Sequence, residues 1–142
     1  MGRVINPETA GKERTQLSRA IVLALRELMQ QPEPNHTSRD LAAFIALALQ
    51  AIHDTIDSSV TAWEKRGYWV KADQFRMEWA WSGQVSEALR QALAAEDWDA
   101  IIHNAVKVAQ KLNNVKVPQR NRVGTPWAGA YQQLRNGAPK VK

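Results

Sequence analysis

His53 and Asp57 stand four positions apart, and so do Asp99 and His103. An imidazole and a carboxylate at that spacing share one face of a helix and could hold a divalent metal. Metal sites in bundle cores use Glu-x-x-His pairs that point inward. The Glu-x-x-His run of this chain is Glu33-Pro34-Asn35-His36, and its proline, with Pro32 before it, puts it in a link between helices. On a helical wheel Asp57 and His103 point away from the apolar stripes, and His53 lies at an edge. These pairs therefore read as solvated polar residues. No metal and no other cofactor is expected.

Nucleophilic chemistry has equally little support. The chain has no cysteine. It has no Gly-x-Ser-x-Gly elbow, no phosphate loop and no dinucleotide glycine fingerprint. Ser58, Ser59 and Ser82 have no histidine three or four positions away to act as base. Asp97 and Asp99 flank Trp98, where acid at a helix start is explained by the dipole. No catalytic residue is expected, and the chain reads as a non-enzyme.

Two groups of residues remain. Trp63, Tyr68, Trp69, Phe75, Trp79 and Trp81 fall within nineteen residues of a chain with ten aromatics. Aromatics at helical spacing usually fill a core. Trp69 and Trp81 lie off the stripe of their neighbours, so they are the candidate exposed aromatic patch, or the wall of a Trp-lined ligand pocket. The second group is basic. Residues 100–142 hold eight Lys and Arg with no Asp or Glu, while the first 99 residues hold eleven basic against fourteen acidic, a net of −3. Lys116, Arg120, Arg122 and Arg135 could neutralise phosphates, and Trp127 and Tyr131, four apart, could stack on bases or fill a partner's groove. The alternative is that both rings fold back onto this chain's own body. Arg3, Arg14 and Arg19 would join the same positive region if the two ends of the chain meet.

Helical periodicity supplies the elements that must position these groups. Asn6-Pro7-Glu8 suits a helix start, and Ala10, Leu17, Ile21, Ala24, Leu25 and Leu28 share a stripe that also holds Arg14. Pro32 and Pro34 end it. Thr37-Ser38-Arg39-Asp40 reads as a hydroxyl cap with acid in the first turn. Leu41, Ile45, Leu49, Ile52, Ile56, Val60 and Trp63 then recur every three or four residues, with Gly67 as the stop. A third helix runs from about Tyr68 to Ala95. Its apolar face changes at Ser82-Gly83, which implies a kink or burial on two sides. A fourth carries Trp98, Ile101, Ala105, Val108 and Leu112. No strand pattern is convincing.

Ala62–Ala72 and Leu93–Ile102 each place an aromatic just after a turn, ahead of a helix. In this they resemble the turn between the paired helices of tetratricopeptide-type repeats. Trp69 and Trp98 lie 29 apart, against a repeat of about 34 in that family, and there is no third copy. No family is assigned on that basis.

The expected fold is all-α: an antiparallel four-helix bundle over 1–113, with an arm over 1–6, followed by an irregular basic tail over 114–142 with a short helix around Ala128 to Arg135. The N-terminus has no apolar signal-peptide core, and Leu41–Ala51 is about half of a membrane span, so a cytoplasmic protein is expected. The expected function is a non-enzymatic binding module whose tail contacts an anionic partner: nucleic acid, a ribonucleoprotein or an acidic protein surface. A helical homo-oligomer and a ligand-binding protein with a Trp-lined pocket are the alternatives.

Overall fold

The computed structural model describes residues 7–117 and 125–137. They form five helices: α1 (Pro7–Gln30), α2 (His36–Lys65), α3 (Trp69–Ala94), α4 (Trp98–Lys111) and α5 (Ala130–Gly137). No strand occurs among the described residues. The fold is all-α, as the periodicity predicts.

The centre of the molecule is α2, which packs against α1, α3 and α5. Its predicted stripe is buried from Leu41 through Val60. Each such Leu or Ile contributes about 1.5–3 kcal/mol. Ala42, Ala43 and Ala46 are fully buried as well. These small side chains let neighbours approach α2 on flanks that a single stripe would leave to water. Arg14 of α1 reaches Thr55 and Ser59 of α2, and Trp63 of α2 meets Phe75 of α3. Both α1 and α3 therefore run antiparallel to α2.

The start of α2 differs from expectation. Asn35, not Thr37 or Ser38, is the cap: its backbone is extended and its side chain accepts the Ser38 N–H at 2.8 Å. The Ser38 hydroxyl itself donates to Asn35. Asn caps as well as a hydroxyl does, and capping from Asn35 leaves Asp40 beyond the first turn. Asp40 is buried and serves another helix.

The α2–α3 and α3–α4 turns share one geometry. Tyr68 N–H donates to the Trp63 carbonyl and Gly67 N–H to that of Glu64. Asp97 N–H donates to Ala92 and Glu96 N–H to Leu93. Both are six-to-one, five-to-two closures with a left-handed residue after the cap. That residue is Gly67 (φ 83°) in the first turn and Glu96 (φ 53°) in the second. The likeness between the two segments is therefore a shared hairpin closure.

Between the turns α3 is unbroken, and Ser82 is fully buried at the change of face. The two faces serve two clusters. Val85, Leu89, Ala92 and Leu93 belong to the main core, whereas Ala72 joins Ile56 and Val60, with Trp63, Phe75 and Trp79 packed around them. Asp97 caps α4 by accepting the Ala100 N–H at 3.1 Å. Ile101, Ala105, Val108 and Leu112 are buried on the predicted face.

The short helix expected near the C-terminus is α5, and it is docked. Ala130 and Leu134 are buried in the main core. No helix among the described residues is long and apolar enough to cross a membrane.

Candidate functional site

Arg14 sits in the apolar stripe of α1, so folding carries its guanidinium inward. Nη1 donates to Thr55 Oγ1 at 3.1 Å and lies 3.4 Å from Ser59 Oγ. The Thr55 hydroxyl spends its own proton on the Ile52 carbonyl at 2.6 Å, which leaves its lone pairs to the arginine. The guanidinium also lies 4.6 Å from the centre of the Phe75 ring. Burial lowers the Arg14 pKa and Glu78, acting at longer range, opposes that shift. Arginine stays protonated in proteins, so the result is a partly desolvated cation held by hydroxyls and a ring.

Arg14 opens into a cleft of about 580 Å³. Thr15, Ser18 and Arg19 line it from α1, Trp79 from α3, and Val115 and Lys116 from the segment after α4. Gly11, one turn before Arg14, contributes only backbone to this wall; a Cβ there would sit 3.7 Å from Nη2. No carboxylate is among the described lining residues, although Glu78 lies near enough to act on Arg14. Trp79 continues into a stack with Trp81, ring centres 5.9 Å apart and 23° from parallel. The early part of α1 and the segment after α4 do meet, as an even number of antiparallel helices requires. Three cations from the two ends of the chain thereby face one cavity beside a pair of stacked indoles.

The other residues singled out in the sequence are placed elsewhere. Trp127 packs its ring edge-on against Phe44 of α2 at 6.4 Å. Tyr131 is half-buried, with the guanidiniums of Arg39 and Arg135 at 5.9 and 5.8 Å from its ring. Both rings pack on this chain's own bundle, away from the cleft that holds Lys116. Arg135 is exposed on α5. Arg120 and Arg122 lie outside the described residues. Trp69 is 61% exposed at the start of α3. Trp81 is half-buried twelve residues further on, about 18 Å along the helix. The two do not form one patch.

The aromatic cluster thus divides three ways. Trp63 and Phe75 meet edge to face at 4.8 Å; Trp79 and Trp81 stack; Tyr68 and Trp69 stand exposed at the turn. The His53 ring packs where Gly83 leaves room, and its buried Nδ1 has no hydrogen-bond partner among the described residues. Among the described residues, no three His, Asp or Glu side chains converge in a way that could hold a metal ion. Sequence reasoning did not assign Trp79 to a cationic cleft. Arg14 interrupting an apolar stripe was the available signal.

No family model matches this chain, and no curated protein or solved structure matches it either.

Proposed function

We propose that the chain is a non-enzymatic helical binding module for an anionic partner, and that the partner is single-stranded nucleic acid. The observation that carries this reading is the cleft in which Arg14, Arg19 and Lys116 converge beside Trp79, with no carboxylate among the described lining residues. Cations along a groove neutralise phosphates, and an indole stack offers a π-face to any base. Arg14 is held at Nη1, so it presents a preorganised edge. Arg120 and Arg122 follow Lys116 in sequence and extend the acid-free run.

The test is binding to a mixed-sequence single-stranded oligonucleotide across a salt series. Three phosphate contacts give a slope of log affinity against log salt of about −2. Absence of binding at low salt would end this reading. Deleting the tail is a poor test, because α5 contributes Ala130 and Leu134 to the core. Charge reversal in the cleft is the sound alternative.

A further inference from the structure

The closure at Gly67 leaves an apolar tip at one end of the bundle. Tyr68, Trp69 and Val70 are 53%, 61% and 71% exposed. They lie inside the run Lys65-Arg66-Gly67-Tyr68-Trp69-Val70-Lys71, which has three cations and no acid. The acids flanking this run, Glu64 and Asp73, are both held by Arg76 at 2.7 Å, which offsets one of their two charges, so the three cations of the run still outweigh the single negative charge that remains. Lys71 lies over the Trp63 ring at 4.5 Å, which fixes it beside the tip.

We infer that this tip docks on an anionic lipid bilayer, with Trp69 and Val70 entering the interface and Lys65, Arg66 and Lys71 facing the headgroups. The chemistry favours lipid over other occupants. Tyr and Trp settle at the headgroup level, where one edge is wet and the other apolar. Val70, the most exposed of the three, has no hydrogen-bonding group and no π-face, so hydrocarbon is the surrounding from which it gains most. Each lysine or arginine near an anionic surface adds attraction that salt screens. The tip is a protruding turn, whereas a nucleic-acid strand needs a groove to track. Two copies meeting through it would oppose like charges. This inference rests on the α2–α3 turn and does not depend on the cleft of Arg14, Arg19 and Lys116.

The experiment is co-sedimentation of the full chain with phosphatidylcholine vesicles, with and without phosphatidylserine, together with tryptophan quenching by lipids brominated in the acyl chain. The expected result is binding that requires phosphatidylserine and weakens with salt. The double variant W69S/V70S, which changes only exposed side chains, should lower vesicle affinity by at least about tenfold. Quenching should fall in W69F. A second variant, K65E/R66E, should abolish the phosphatidylserine dependence, and the helical circular dichroism of each variant should match the parent. R19E/K116E should leave vesicle binding unchanged, which separates this site from the cleft. Equal vesicle binding by parent and W69S/V70S overturns the proposal. So does a loss of oligonucleotide binding in W69S/V70S without any vesicle binding by the parent, which would assign the tip to nucleic acid.

Discussion

The Asp40 carboxylate accepts the Tyr131 N–H at 2.9 Å, a contact between residues 91 positions apart. Its second oxygen accepts the Gly129 N–H at 3.1 Å. Asp40 therefore caps α5 from α2. A helix of eight residues does not persist in water by itself, and its first N–H groups need acceptors. The cap and the burial of Ala130 and Leu134 together supply what α5 lacks.

Removing that carboxylate should loosen α5 specifically. Asp40→Ala is expected to cost about 1–2 kcal/mol, because two part-buried N–H donors lose their charged acceptor. Asp40→Asn keeps one carbonyl oxygen and should lose less. Urea denaturation gives the stability change. Amide hydrogen exchange should show faster exchange at Tyr131 and Leu134, with α1 and α4 little changed.

Glu96 holds the left-handed position that Gly67 fills in the preceding turn. A side chain there costs roughly 1–2 kcal/mol. In return Glu96 makes an exposed ion pair with Arg39 at 2.9 Å, and such pairs are worth about 0–1 kcal/mol. Glu96→Gly should therefore raise stability, by about 1 kcal/mol within a span of about 0–2 once the pair is lost. Thermal or urea melting checks the sign.

Gly83 lies in the middle of α3, where alanine would be preferred by about 1 kcal/mol on helix propensity. A Cβ at this position would meet three His53 ring atoms at 3.1–3.3 Å. Gly83→Ala should thus gain little or lose stability in the parent. In a His53→Ala background the same change should stabilise by about 1 kcal/mol. A double-mutant cycle measures the difference, and additivity would show that the imidazole yields without cost.

The fold was legible where one periodicity ran without interruption. Leu41 through Trp63 recurs every three or four residues, and that stripe is the interior of the bundle. The start of α2 was harder, because Asn35, Thr37 and Ser38 can all cap and only backbone geometry selects Asn35. Asp40 looked like a dipole residue because its true partners, Gly129 and Tyr131, are remote in sequence. Arg14 was visible as a cation in an apolar stripe, and its meeting with Lys116 followed from counting helices. The six clustered aromatics could not be sorted from spacing. Trp79 and Trp81, two apart, should diverge on an ideal helix, yet their rings stack.

Arg19 and Lys116 face one cleft with no carboxylate among its described lining residues. The decisive measurement compares the parent with R19E/K116E for single-stranded oligonucleotide affinity over a salt series. At about 0.7 per phosphate contact, reversing both charges should flatten the log–log slope by about 1.4 and lower affinity at least about tenfold at low salt. Equal affinity and an unchanged slope in the two proteins would contradict the assignment of this cleft to an anionic strand.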